Sequence, residues 1–129
     1  MPTPTAVAGA PDWYAPTRIS LGIRVGDLVF TSGQAPVDDS GSTVAPGDFA
    51  AQARQAMAHV ADVLTRAGSG PERLVKVTVF VTDIAHQDLF AAVRDEWYPT
   101  PFPAESFVQV AALADPRWLV EIEAIGAVG

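Results

Sequence analysis

The sequence predicts an α+β domain: one mixed sheet carrying two helices on a single face. Three observations carry this. Period-two apolar alternation runs into a Gly-Asp turn near the start, as in a hairpin. Two segments with helical apolar spacing follow, separated by a run rich in β-branched residues. Two further strand-like segments come after the second helix with no helix between them. The resulting order is β-β-α-β-α-β-β, with no repeat and no linker, so helices cover one sheet face.

The elements follow in order. Residues 1–14 are rich in Pro, Ala and Thr, with neither a basic segment nor an apolar stretch. They read as a flexible arm rather than a secretory signal, leaving residues 15–129 as a single domain. In "RISLGIRVGDLVFTSGQ" (18–34), Ile19, Leu21, Ile23 and Val25 alternate with polar or small residues, Gly26-Asp27 makes the turn, and Leu28-Val29-Phe30 resumes as a more buried strand. Asp48 reads as an N-cap. Phe49, Ala53, Met57, Val60 and Leu64 then fall at helical spacing up to a stop at Gly68, giving a helix over 49–67. "RLVKVTVFVTD" (73–83) reads as a central strand. Phe90, Val93 and Trp97 share one face of a helix over about 87–98, ended by Pro99, Pro101 and Pro103. Strands over 105–113 and 117–128 complete the sheet. In the last, Leu119, Glu121 and Glu123 share one face while Val120, Ile122 and Ala124 share the other.

Composition narrows the function classes. The chain has 129 residues, one domain's worth, and is 49% hydrophobic, with no apolar run near the roughly 20 residues of a membrane helix. Fifteen acidic against eight basic residues give a net charge of −7, and the arginines form no cluster, so nucleic acid is not an expected partner. The absence of cysteine excludes disulfides, thiolate metal sites and a cysteine nucleophile, and fits a cytoplasmic protein. His59 and His86 lack ligand spacing, so no metal is expected, and both read as surface or helix-end residues. Ser32 is not in a nucleophile-elbow context. Trp13, Tyr14, Trp97 and Trp118 read as core or interface aromatics, although Trp13 and Tyr14 precede the first strand and could fold over a cleft.

The blocks "VGDLVFTSGQAPV", "VKVTVFVTDI", "SFVQVAAL" and "VEIEAI" resemble, in order and spacing, the YjgF/RidA family of reactive intermediate deaminases over roughly residues 18–127. The resemblance implies a chorismate-mutase-like fold, a homotrimer with clefts between subunits, and metal- and cofactor-free hydrolysis of enamines and imines, such as the 2-aminoacrylate tautomers, to a 2-keto acid and ammonia. It further implies site residues. The water-activating glutamate falls on Glu121 and the glycine of the Ser-Gly-Gln turn on Gly33, beside Ser32. The pocket tyrosine falls on Ile19, the asparagine near Ala91, and the residue two after the substrate-binding arginine on Phe107. Trp118 joins them as an expected substrate contact. The arginine itself, which clasps a substrate carboxylate, is replaced: its position is Glu105 of "PAES".

That exchange reverses a charge. At about 4 Å and an effective dielectric near 20, each unit charge interacts with a carboxylate by roughly 4 kcal/mol. An anionic 2-imino acid would be repelled, whereas a neutral or cationic substrate would not. If Glu105 and Glu121 face one inter-subunit cleft, their mutual repulsion raises one pKa and leaves an acid beside a base. The other readings are that Glu105 points to solvent or pairs with Arg18 or Arg117, leaving a non-catalytic ligand-binding or protein-interaction trimer, or that one of those arginines replaces the missing guanidinium.

Overall fold

The computed structural model describes residues 2–129; Met1, the first residue of the expected arm, lies outside the described residues. The elements are β1 (Thr5–Ala6), β2 (Gly22–Val25), β3 (Leu28–Thr31), α1 (Phe49–Arg66), β4 (Leu74–Val81), α2 (Gln87–Trp97), β5 (Ala104–Gln109) and β6 (Val120–Ala127). They form one six-stranded sheet in the order β1-β2-β3-β6-β4-β5. Only β4 and β5 run parallel, and α2 supplies the long crossover that a parallel pair needs. The expected α+β order is therefore present, with a two-residue edge strand added in front. That strand, pairing Thr5 with Arg24 and Ala6 with Ile23, is too short to leave any alternation in the sequence.

Register decides which residues the helices cover. Val77, Val79 and Val81 of β4 lie opposite Ala124, Ile122 and Val120 of β6, and all six are buried. Phe49, Ala53, Met57, Val60 and Leu64 of α1 and Phe90 and Val93 of α2 press onto this face. Helix α1 starts where Asp48 accepts the Ala51 N–H at 3.0 Å. It ends where Gly68, at φ +89°, lets the Ser69 N–H reach back to the Leu64 carbonyl. The opposite sheet face has no helix. It carries Leu28 and Phe30, each well exposed, with Phe80, Glu121, Glu123 and Val108.

Several boundaries and environments differ from the sequence reading. Strand β2 begins at Gly22 rather than 18, because residues 15–17 form a 3-10 turn closed by Arg18 in the left-handed region. Strand β6 begins at Val120 rather than 117, because the Asp115 carboxylate accepts the Arg117 N–H at 2.8 Å and holds a turn there. Strand β5 stops at Gln109 rather than 113. His59 is not a surface residue. It is 3% exposed, stacked on Trp13 with ring centroids 3.7 Å apart, and its Nε2 meets the Val37 carbonyl at 2.6 Å. The segment before β2 folds over that side of α1, so a wider stripe is covered than apolar spacing alone marks. Burial pulls the His59 pKa down, favouring the neutral ring. His86 stacks on Phe49 at 4.5 Å.

Two glutamines are wholly buried and fully employed. Gln52 Nε2 donates to the carbonyls of Val44 and Arg117, and its Oε1 accepts the Leu119 N–H, tying α1 to the segment leading into β6. Phe90→Ala should lower unfolding free energy by about 3–5 kcal/mol, the usual cost of emptying an aromatic core site. Asp48→Ala should cost only about 1 kcal/mol, the value of an N-cap. Urea denaturation of both variants beside the wild type checks the ranking.

Candidate functional site

The site begins with a backbone pair. Directly after β3, the Gln34 N–H donates to the Ile122 carbonyl at 2.7 Å, and the Ile122 N–H returns a bond to the Gln34 carbonyl at 3.0 Å. This bridge sets Gly33 against Glu121, the neighbour of Ile122 that points away from the helices. A Cβ on Gly33 would run into the Glu121 carboxyl group, whose Cδ would stand at 2.9 Å. Glycine at this position thus leaves the Glu121 carboxyl group the space it occupies. The Gln34 side chain, fully buried, donates to the carbonyls of Leu21 and Ser32 and accepts Trp13 Nε1–H at 2.9 Å. Tyr14, the next residue, donates its hydroxyl to the Gly33 carbonyl at 2.6 Å and accepts the Ala35 N–H at 3.3 Å.

These contacts enclose a cavity of about 310 Å³, whose walls include Tyr14, Ile19, Ser32, Gly33, Trp118 and Glu121. Among the described residues the Glu121 carboxylate makes no hydrogen bond or ion pair. Burial, helped by the charge of Glu123, holds its pKa above the ordinary glutamate range. Burial, with the Glu121 charge assisting, likewise raises the Tyr14 phenol, so it remains protonated. A half-buried, unpaired carboxylate facing a cavity is an arrangement that can take a proton from a bound water. Ser32 Oγ is committed to the Ser20 carbonyl and Trp118 Nε1 to Thr43 Oγ1.

Glu105 lies elsewhere in the subunit. Its pairing with Val77 puts it on the helix-covered face, whereas the pairing of Glu121 with Phe80 puts that residue on the open face. One chain therefore does not bring the two carboxylates together. Nor does Glu105 meet Arg18 or Arg117. Arg94 of α2 grips it in a two-point clasp, Nε to Oε1 at 2.9 Å and Nη2 to Oε2 at 2.8 Å, and the Tyr98 hydroxyl donates to Oε1 at 2.6 Å. Burial alone would raise the Glu105 carboxyl, but the Arg94 and Tyr98 hydrogen bonds outweigh it and hold the pKa below the usual range. The Tyr98 phenol is pushed well up by burial and by its bond to Glu105. Arg94, Tyr98 and Glu105 line a second cavity of about 440 Å³.

Of the residues expected from the sequence, Ile19, Ser32, Gly33, Trp118 and Glu121 share one cavity and Glu105 lines another. Ala91 is exposed on α2 and lines neither. Phe107 is half-buried on the helix side of β5, its ring 5.6 Å from Phe90 and beneath Arg94. Arg94 and Tyr98 were not singled out. Their signal is four-residue spacing after Phe90 on one helix side, which pattern reading credits to packing. Among the described residues no group of three or more His, Asp or Glu is placed to hold a metal ion, and no helix is long and apolar enough to cross a membrane. Gly33→Ala should turn the Glu121 carboxylate out of the cavity. Carboxyl-resolved NMR should then show its titration moving down toward the ordinary glutamate range, with the rest of the spectrum retained.

The fold and its sequence have known relatives. The family model described as Endoribonuclease L-PSP matches residues 11–128. The chain is 37% identical over 126 residues to the protein HMF1 of Saccharomyces cerevisiae, covering 97% of this chain and 94% of the relative. It is 39% identical over 108 residues to the 2-iminobutanoate/2-iminopropanoate deaminase of Escherichia coli K12, covering 81% and 82%. It is also 40% identical over 110 residues to the mitochondrial protein mmf2 of Schizosaccharomyces pombe, covering 81% and 83%. Among solved structures, YEO7 of yeast superposes with a TM-score of 0.88 at 36% identity over 98% of this chain and all of the other. The YjgF gene product of E. coli gives 0.81 at 36% identity over 95% and 98%. With a whole-domain match, shared topology and relatives well above 30% identity, the chain belongs to the YjgF/RidA family, the family of the Endoribonuclease L-PSP model.

Proposed function

We propose that this protein is a cofactor-independent hydrolase of small neutral or cationic enamines and imines, with Glu121 as the base that activates water. The observation that carries this reading is the unpaired, half-buried Glu121 carboxylate against Gly33, facing a cavity walled by Tyr14, Ile19 and Trp118. The identity to a deaminase of 2-imino acids supports the reaction type. In the proposed step, a water oxygen adds to the carbon of a protonated C=N group while Glu121 takes the water proton. Glu121 then returns that proton to the amine nitrogen. The C–N bond breaks, ammonia leaves with the bonding pair, and the remaining hydroxyl passes its proton to the Glu121 carboxylate, and from there to ammonia as ammonium, to give the carbonyl product.

Charge sets the substrate class. Glu105 occupies the position of the carboxylate-clasping arginine in the family resemblance, and it is ionised and held by Arg94. A locked, low-pKa carboxylate is a fixed acceptor, so we assign Glu105 a role in substrate recognition rather than proton donation. Bringing it into the same cleft as Glu121 requires a second subunit, and a homotrimer is part of the proposal. Support comes from the helix-free sheet face, which leaves Leu28, Phe30 and Val108 each more than a third exposed. Light scattering should give three times the 13.6 kDa chain mass. A cytoplasmic location, expected from the cysteine-free sequence, also stays with the proposal, since one relative is mitochondrial by name. The net charge of −7 supports a small-molecule substrate over RNA, whatever the family model's description.

One observation favours a second reading. The bidentate Arg94 clasp on Glu105 is also what a purely structural ion pair looks like, as in a non-catalytic ligand-binding trimer. Turnover separates the two. Imines formed in situ by a flavin amine oxidase from primary amines should release ammonia faster with the protein than in buffer. Anionic 2-imino acids from an amino-acid oxidase should be accelerated less. Glu121→Gln should lower the rate by about 10²–10⁴-fold, the range for a lost general base. No acceleration with any imine would leave only the binding reading.

The base must be ionised, so kcat/KM should rise with pH through the Glu121 pKa. Because burial raises that pKa, the acidic limb should lie above the ordinary glutamate range. Glu123→Gln removes the second cause and should move the limb to lower pH without abolishing activity.

A further inference from the structure

We infer that the cavity between α2 and β5 is a binding site for a planar neutral amide or ureido group carried on an aromatic or apolar body. It holds about 440 Å³, and Arg94, Tyr98, Phe102, Pro103 and Glu105 form its working walls. A guanidinium has five N–H groups. Two of them, on Nε and Nη2, are spent on Glu105, the Tyr98 hydroxyl also acts on the guanidinium, and among the described residues Nη1 makes no hydrogen bond. The guanidinium plane is fixed by that clasp and by packing over Phe90 and Phe107, at 5.2 and 5.8 Å from the ring centres. Glu105 Oε1 accepts twice, from Arg94 and Tyr98, but Oε2 accepts only once. A pinned donor edge therefore stands beside an acceptor with capacity to spare.

Charge decides what fits. Arg94 and Glu105 neutralise each other at hydrogen-bond distance, and exposed Asp95 on the rim is offset by Lys76, whose charge reaches Glu105 from β4. An anion drawn to Arg94 meets Glu105 directly behind it. At comparable distances the attraction and repulsion, each roughly 4 kcal/mol at 4 Å, largely cancel. A cation drawn to Glu105 meets Arg94 in the same way. A neutral amide suffers neither repulsion: its carbonyl accepts from the open guanidinium edge, and its N–H donates to Glu105 Oε2. Phe102, with 76% of its surface exposed, and Pro103 offer an apolar wall for the rest of the molecule.

This deepens the proposed function, on which it rests for turnover alone, by naming a group the substrate carries. Its test reads binding at Arg94 and not catalysis. Benzamide, benzoate and benzamidinium share one planar shape and carry zero, negative and positive charge. Each is titrated into the isotope-labelled full chain while the Arg94 Nε–H and Phe102 ring resonances are followed by NMR. Benzamide is expected to shift both saturably and to bind at least about tenfold tighter than either ion, about 1.4 kcal/mol. Arg94→Lys keeps the charge but removes the fork, and should weaken benzamide by a similar factor. Glu105→Gln should let benzoate bind as well as benzamide. No saturable benzamide shift overturns the inference. Tighter benzamidinium overturns it while leaving the proposed function standing. Benzoate binding as tightly as benzamide overturns it together with the charge reading of the substrate. The three-probe comparison needs only the wild type, so it decides even where a variant fails to fold.

Discussion

Strand β6 lies between β3 and β4, and its strict alternation there constrains everything else. Val120, Ile122 and Ala124 must face the helices because both neighbouring strands and α1 supply apolar partners on that side. Glu121 and Glu123 are then forced outward together. A slip of one residue would bury two carboxylates under α1 and expose three core residues, at a cost no compensating contact in the sheet could offset. The same strand receives Gln34 through the backbone bridge at Ile122, so Gly33, Tyr14 and Trp13 are placed by the element that fixes the core. Core and site are not separable here: the residue that closes the interior, Ile122, sits beside the residue offered to the cavity.

The two glutamates show how environment divides one residue type into two roles. Both are partly buried, and burial is the leading influence on each. Among the described residues Glu121 has no donor to answer it, and a like charge stands two residues along, so the neutral form gains. Glu105 receives three hydrogen bonds, two of them from a guanidinium, so the charged form gains. The first keeps its proton to higher pH than an ordinary glutamate, and the second gives its proton up more readily. The ion pair is also a poor place to look for net stability, since desolvation of both partners offsets much of the attraction. Its chief effect is geometric: it fixes the orientation of Arg94, which would otherwise sweep a large volume.

Much of the fold was legible because long periodic segments leave few alternatives. The five apolar positions assigned to α1 are all buried, Asp48 caps the helix, and the inward and outward sets of β6 fall as alternation requires. What was not legible had short or non-local causes. Strand β1 spans two residues and has no period. Residue His59 looked solvent-facing because the cover above it, Trp13, comes from a segment with no pattern of its own. Resemblance pointed to Gly33 and Glu121, and the backbone bridge at Ile122 sets the two side by side. The partner of Glu105 was missed because Arg94 is eleven residues away on a helix, and helical spacing credits such a residue to packing or solvent.

Position 105 shows why a reversed charge need not mean an emptied site. A carboxylate exchanged for a guanidinium leaves the local field wrong for an anion only if nothing else moves in. Here a guanidinium does stand within 3 Å of Glu105, contributed by Arg94 of α2. The site keeps a planar five-donor group but loses its net charge, because donor and acceptor are now paired. Shape recognition by hydrogen bonding survives such a change, whereas selection by charge does not. On the proposed reading, the Arg94–Glu105 site suits neutral polar groups, while Glu121, set by β6 against Gly33, lies apart from it in the chain.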